Sequence, residues 1–157
     1  MNAVFKSHQA YIVSQSHLIL KSYQHWLHCD LLQMSQDIVQ NAKSLFNAPF
    51  VVLSSGPDPD AILNYGNKTA LNLWEMEWDV LCRTPSRQTA ETEHRDTRAI
   101  FMKQVRTNGY IENYEGIRIS SRGKRFKIEG ATVWNLVDEQ GLYKGQAATF
   151  PRWAFCK

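Results

Sequence analysis

The N-terminal third of the chain repeats apolar residues every three to four positions, the spacing of a helix with one buried face. This pattern predicts a helix over residues 8–32. A second helix begins at Ser35 and ends before Pro49, because the residue before proline disfavours the helical conformation. Strand patterning follows: residues 50–54 form a β-branched and aromatic run, and residues 61–65 come after a Gly- and Pro-rich turn. A sheet therefore begins at this point.

Helical spacing returns in the middle of the chain, and strands follow it. The pattern predicts helices over residues 67–76, 78–81 and 91–107, then strands over residues 110–120, 124–137 and 143–150. This order predicts an α+β fold, with a five-stranded antiparallel sheet, helices across one face and N-terminal helices before it. The arrangement resembles a PAS domain. We divide the chain into an N-terminal helical cap (1–47), a PAS-like domain (48–151) and a C-terminal tail (152–157).

Composition is that of one reduced, globular domain. The chain has 157 residues, of which 43% are hydrophobic and 21% charged. No apolar run approaches the ~18 residues of a membrane span, and the first residues lack the basic and apolar regions of an export signal. Cys29, Cys82 and Cys156 stand apart, without a CxxC pair. We therefore expect a cytoplasmic protein that is not bound to a membrane.

Charge is distributed unevenly along the chain. Residues 1–80 hold 4 basic and 7 acidic side chains, whereas residues 81–157 hold 14 basic and 8 acidic ones. Such an asymmetry is compatible with an anionic partner for the second half. The basic residues are not dense enough for the stripe typical of nucleic-acid-binding surfaces. We do not expect nucleic-acid binding.

Several long blocks of the sequence resemble the MEKHLA domain. They are LFNAPFVVLS (45–54), NYGNKTAL (64–71), NGYI (108–111), GIRIS (116–120), ATVWNLVDEQG (131–141) and GQAATF (145–150). The resemblance covers about residues 10–150 and implies a PAS-like fold with a sensory or regulatory role. In land plants such a domain ends homeodomain-leucine-zipper transcription factors. In bacteria it occurs as a small free-standing protein, which is what we expect here.

The space between a PAS-like sheet and its helices can hold a small ligand. The candidate ligand-binding residues are Asn64, Tyr65, Trp74, Arg87, Glu129, Trp134, Asn135 and Gln146. The resemblance implies that polar residues on the long strand and an amide on the last strand contact the ligand. The tryptophans among them are more often part of a packed core than a surface on which a ligand stacks.

The long predicted strand, residues 124–137, leaves two assignments open. Under regular alternation Glu129 and Asn135 share one face and Trp134 lies on the other, but a one-residue shift exchanges the faces. An inward Glu129 needs a cation such as Arg87 or Arg118, because an isolated buried carboxylate is costly. In the alternative, Glu129 pairs across strands with an exposed cation. Gly130 suits a bulge or the close approach of a ligand.

The known PAS cofactors fit this sequence poorly. The flavin-binding branch carries an Asn-Cys-Arg-Phe-Leu motif, whereas here Cys82 falls a few residues early and Pro85 occupies the motif's place, so we do not expect a flavin adduct. His94 is a candidate haem ligand, but its neighbours are charged, so we do not expect haem. His25, His28 and Cys29 lack a fourth ligand, so we expect no metal. A small metabolite remains the open choice.

The leading hypothesis is a sensory module that binds a small ligand and signals through contacts with another protein. The first alternative is a ligand-free interaction or dimerisation domain. The second is an enzyme acting on a small metabolite through Glu129 and Arg87, although no catalytic motif is present and we expect no enzyme activity. Apolar residues on two flanks of the first helix predict a homodimer formed through residues 10–32.

Overall fold

The computed structural model describes residues 2–90 and 92–157, without the side chains of residues 92–95, 97 and 98. Its helices are α1 (Ala3–Ser7), α2 (Gln9–Leu27), α3 (Ile38–Phe46), α4 (Lys68–Trp74), α5 (Trp78–Leu81) and α6 (Thr92–Asn108), with a short 3-10 helix at Ser86–Thr89. Its strands are β1 (Val51–Ser55), β2 (Leu63–Gly66), β3 (Tyr110–Ile119), β4 (Arg125–Val137), β5 (Tyr143–Phe150) and β6 (Arg152–Phe155). None of the described helices is long and apolar enough to cross a membrane.

The N-terminal helices end and begin at positions that backbone chemistry explains. The helix predicted to reach residue 32 ends at Leu27, because His28 takes the left-handed conformation (φ 59°) and closes it. The start predicted at Ser35 is also wrong. Asp37 caps α3, and its carboxylate accepts hydrogen bonds from the backbone N–H of Val39 (2.9 Å) and Gln40 (3.3 Å).

The strands form one antiparallel sheet in the order β2-β1-β5-β4-β3. The predicted α+β fold with N-terminal helices is confirmed. The described chain adds a sixth strand, since residues 152–155, placed in the predicted tail, pair with β4 as β6. Thr149 pairs with Thr132 and Arg152 with Glu129, so β6 keeps the register of β5 along the same edge of β4.

A bulge in β4 changes which side chains face the helices. Gly130 has φ 62°, and the alternation shifts by one residue there. Before it, Phe126 faces the helices, since its ring lies 5.1 Å from that of Trp74. After it, Val133 faces the helices, whereas Trp134 turns to the opposite face. The regular alternation predicted over residues 124–137 is therefore wrong beyond Gly130.

Helices cover both faces of the sheet. Helices α4, α5 and α6 pack on the first face, which we call the helix face. The second face is covered by α2, against which α3 packs in turn. Polar bonds fix α2 in place: Gln15 Nε2 donates to Ser54 Oγ (3.1 Å), and Trp26 Nε1 donates to the Asn135 carbonyl oxygen (2.9 Å). The N-terminal helices are therefore part of the domain's core.

Candidate ligand-binding site

A cavity of about 60 Å³ lies between the helix face of the sheet and the helices. Its walls are largely apolar, formed by Leu53, Ile128, Val133, Ala148 and similar residues from four strands and by Met102 from α6. One water needs roughly 10–15 Å³ of such space, and pockets for drug-sized ligands measure roughly 300–1,000 Å³. The cavity therefore fits a molecule of a few heavy atoms, whereas a flavin or a haem requires the helices to move apart.

Gln146 and Asn135, two of the predicted site residues, attach α6 to the sheet. They are paired in register on β5 and β4. Gln146 Nε2 donates to the carbonyl oxygen of Met102 (2.9 Å), and Asn135 Nδ2 donates to that of Val105 (3.0 Å). Asn135 Nδ2 also donates to the carbonyl oxygen of Arg106 (3.2 Å), in the last turn of α6, where carbonyl groups lack partners within the helix. Gln146 lines the cavity, while Asn135 lies beside it as a positioning residue.

Arg118 brings a charged group to the cavity wall. Only 5% of its surface is exposed. Its guanidinium donates to the Tyr114 hydroxyl (2.9 Å) and to the Ile117 carbonyl oxygen (3.0 Å). Gly116 leaves room for this arrangement, because a Cβ there would lie 2.9 Å from both Arg118 Nη1 and the Tyr114 hydroxyl. From the sequence, Arg118 was expected only as a possible partner of Glu129, and its place at the cavity was not predicted.

Trp74, another predicted site residue, lines the same cavity. Its ring contacts those of Phe126 and Phe150, and it is 2% exposed. Within the described part of the chain, its Nε1–H has no hydrogen-bond acceptor. A buried donor without an acceptor is costly and is rarely retained without a reason. The wall of the cavity therefore contains a buried N–H group that has no acceptor among the described residues.

Three predicted site residues lie away from the cavity. Asn64 accepts a hydrogen bond from Ser54 Oγ (2.6 Å) on the side of the sheet that α2 covers. Tyr65 is buried against Trp78, with ring centroids 5.9 Å apart, and this burial raises the pKa of its hydroxyl. The assignment of Trp134 to the site needs correction, because the bulge at Gly130 turns its indole to the Ile19 carbonyl oxygen on α2 (3.3 Å).

Arg87 and Glu129 are not brought together. Arg87 pairs with Asp60 at 2.9 Å, and about half of each side chain is exposed. Glu129 lies on β4, directly opposite the exposed Arg152 of β6, but within the described residues no ion pair joins the two side chains, so the cross-strand pairing stays a prediction. The structure thus leaves the second alternative, an enzyme that uses Glu129 with Arg87, without a common site for the two residues.

The candidate cofactor ligands do not form a common site among the described residues. Cys82 is half-buried, and this burial, together with the charge of Asp79, raises the pKa of its thiol to about 11. Such a thiol is a poor nucleophile at neutral pH. The side chain of His94 lies outside the described residues. Cys29 is exposed, and no group of three His, Cys, Asp or Glu in the described chain could hold a metal ion.

We expect alkali to destabilise the protein between about pH 9 and pH 11. The thiol of Cys82 has a pKa of about 11 in the folded protein against 9.0 ordinarily, so the unfolded chain releases this proton first as the pH rises. Urea unfolding at pH 8, 9.5 and 11 measures the fall in the free energy of unfolding. Cys82→Ala should flatten the fall and Cys29→Ala, at an exposed site, should not. An equal slope in Cys82→Ala and the unchanged protein contradicts this assignment.

The family model of the MEKHLA domain matches residues 13–155 of the chain. The chain belongs to the MEKHLA domain family. The resemblance expected from the sequence blocks is thereby confirmed. The match begins inside α2 and ends with β6, so it crosses both boundaries of the predicted division into 1–47, 48–151 and 152–157. Among proteins with curated descriptions, none matches the chain.

Solved structures that resemble this MEKHLA domain are PAS and light-oxygen-voltage domains. The PAS domain of a protein from Colwellia psychrerythraea has a TM-score of 0.64 at 15% identity, covering 72% of this chain and 94% of its own. A light-oxygen-voltage domain studied with a flavin analogue has a TM-score of 0.58 at 16% identity, covering 75% of this chain and 85% of its own.

A third structure that resembles the MEKHLA domain was solved with a very small ligand. It is the PAS domain of a LuxR-family transcriptional regulator from Burkholderia thailandensis, in complex with ethanol. Its TM-score is 0.54 at 14% identity, and the match covers 68% of this chain and 92% of its own. At these identities the likenesses establish the PAS-like fold of the chain.

Proposed function

We propose that this MEKHLA domain is a sensory or regulatory module that binds a small molecule in the cavity between the sheet and the helices. The observation that carries the proposal is that Arg118 and Trp74 line the same cavity. The guanidinium of Arg118 is buried, and the Nε1–H of Trp74 has no acceptor among the described residues. Polar groups in such a place are the usual means of orienting a ligand. The ethanol complex of a similarly folded PAS domain supports a ligand of this size.

A path for the signal runs from the cavity to the N-terminal helices. Gln146 lines the cavity and bonds both α6 and Asn135. The Asn135 carbonyl oxygen accepts the Nε1–H of Trp26 on α2, and a Cβ at Gly109, where α6 ends, would overlap the Trp26 ring. A ligand that shifts α6 therefore displaces α2 as well. We propose that another protein reads this change and that the domain acts in the cytoplasm.

The ligand-free interaction domain is the second candidate function. It is favoured by the small volume of the cavity and by the near-complete burial of Trp74 and Phe150, the large aromatic side chains that line it. A solid interior and a ligand cavity differ in what happens when side-chain volume is added to the wall. An overpacked core loses roughly 1–3 kcal/mol, whereas an empty space accepts the added atoms.

Filling the cavity separates these two functions. Ala148 lines it, and Ala148→Leu adds three carbon atoms to the wall. We expect this variant to fold with near-normal stability and to lose a small molecule that mass spectrometry finds in the supernatant of the denatured, unchanged protein. Ala154→Leu, at an exposed position of β6, is the matched control and should retain the molecule. A destabilised Ala148→Leu, with no molecule released from the unchanged protein, favours the interaction domain.

The homodimer expected through residues 10–32 stays a prediction. We predicted it because the helix has a second apolar flank. In the folded chain Leu20, on that flank, is buried in the core, and α3 packs against α2. The outward side of α2 carries Ser14, His17 and Lys21. The prediction requires a dimer in gel filtration with light scattering at ~100 μM protein, well above the Kd of a typical interface. A monomer at that concentration contradicts it.

A further inference from the structure

We propose that the ligand is a short monocarboxylate whose carboxylate group is bound by Arg118. This inference rests on the proposed function, since it names the chemical class of the molecule that the cavity binds. It starts from the buried charge of Arg118, for which the described residues provide no counter-charge. Three features of the cavity wall support it. They are the contacts of Arg118, the other hydrogen-bond donors near it and the apolar residues that form the rest of the wall.

The first feature is that the Arg118 guanidinium contacts neutral groups: it donates hydrogen bonds to the Tyr114 hydroxyl and the Ile117 carbonyl, and its Cζ lies 5.5 Å from the centre of the Tyr114 ring. Within the described residues, no carboxylate lies within 4 Å of it, and no Asp or Glu lines the cavity. A buried charge without a counter-charge is expensive. A guanidinium presents paired N–H groups whose geometry matches the two oxygens of a carboxylate.

The second feature is that further polar groups near Arg118 are donors. Trp74 Nε1–H has no acceptor among the described residues, and it lies close to Arg118 because both adjoin Phe126. The Tyr114 hydroxyl accepts a hydrogen bond from Arg118 Nη2, so its own proton is available to a second acceptor. A carboxylate is an acceptor only, with about four lone-pair sites, and can use all of these donors.

The third feature is the apolar remainder of the wall. Leu53, Ile128 and Val133 line the cavity together with Arg118, and their apolar side chains cannot solvate a second charge. The volume of about 60 Å³ limits the molecule to a few heavy atoms. A monocarboxylate with a two- to four-carbon skeleton satisfies the guanidinium at one end and the apolar wall at the other. Dicarboxylates place a charge against that wall and are excluded.

Propionate and its neutral counterpart propionamide provide the test. We expect propionate, in calorimetric titration at constant ionic strength, to bind the unchanged protein at least tenfold more tightly than propionamide, because a charge-assisted hydrogen bond is worth about 10- to 100-fold in affinity. Arg118→Met should weaken propionate binding about 10- to 100-fold and leave propionamide binding within a few-fold. Arg118→Lys, which keeps the charge but loses the paired geometry, should fall between them.

Arg87→Met is the matched control, because Arg87 is half-exposed and paired with Asp60. It should bind propionate as the unchanged protein does. Equal affinity for propionate and propionamide overturns the carboxylate assignment and leaves the cavity's ligand-binding role standing. Unweakened propionate binding in Arg118→Met also overturns it. If neither probe binds the unchanged protein, the assignment fails, and the small molecule released from the purified protein decides the proposed function separately.

Discussion

Replacing Asn67 by alanine is expected to cost about 3–5 kcal/mol of stability, since buried groups that lose their partners cost roughly 1–3 kcal/mol each. Asn67 is fully buried, and its side chain makes four hydrogen bonds. Its Oδ1 accepts from the backbone N–H of Val52 (3.1 Å) and Ala70 (3.0 Å), and its Nδ2 donates to the carbonyl oxygens of Leu45 (3.1 Å) and Phe50 (2.8 Å). One side chain thus joins α3, β1 and the start of α4.

This cost is a large part of the roughly 5–15 kcal/mol by which a domain is stable. Urea unfolding followed by circular dichroism measures it. Asn47→Ala is the matched control, because Asn47 is exposed and its Nδ2 makes one hydrogen bond, to Lys43 within the same helix end. We expect that control to change stability by less than about 1 kcal/mol. An Asn67→Ala protein as stable as Asn47→Ala would show that the four bonds do not hold these elements together.

Replacing Gly145 by alanine is expected to cost about 3–5 kcal/mol, combining backbone strain with overpacking. Gly145 has φ +125°, which other residues rarely adopt. A Cβ there would overlap the carbonyl oxygen of Ser55 and lie 3.0 Å from Gly56 C. Because these are backbone atoms, no side-chain rotation relieves the clash, and β5 must move away from β1. The shift acts next to Gln146 and so disturbs the cavity wall.

Gly141→Ala provides the control for Gly145→Ala. Gly141 has φ +79°, and no atom lies within 4 Å of the position of its Cβ, so this variant carries backbone strain alone, about 1 kcal/mol. Thermal unfolding of the two variants side by side gives the difference due to the Ser55 clash. Equal melting temperatures for the two would contradict the close approach of β5 and β1 at this position.

The spacing of apolar residues along the sequence predicts most of the fold. The strands and helices lie close to their predicted places because burying one face of a helix or strand fixes the period of its apolar residues. This spacing does not predict which strands, distant along the chain, pair with each other. Strand β6 is only four residues long, with Trp153 and Phe155 alternating with Arg152 and Ala154, and its pairing with β4 depends on the register that β5 already has. Only the folded chain reveals it.

The candidate site was predicted in part. Trp74 and Gln146 lie at the cavity and Asn135 beside it; the PAS resemblance implied such a place for the two amides but not for Trp74, and contact of these residues with a ligand stays a prediction. Trp134 was misplaced, because the shift at the Gly130 bulge inverts every later position of β4, even though a bulge there was considered. Arg118 was the hardest residue to place. In β3 the isoleucines at 117 and 119 are partly exposed and the arginine between them is buried, the reverse of what hydrophobic patterning predicts.

We propose that the helix face of the sheet, and not the face under α2, holds a small molecule. The indole N–H signals of Trp74 and Trp134 in two-dimensional ¹H–¹⁵N spectra report on the two faces, and each is assigned by a Trp→Phe substitution. With added propionate, the Trp74 signal should shift in a saturable way, because its N–H is unpartnered at the cavity, while the Trp134 signal, bonded to Ile19, should stay in place. A Trp74 signal that does not move, or a saturable shift of Trp134 alone, would contradict the claim.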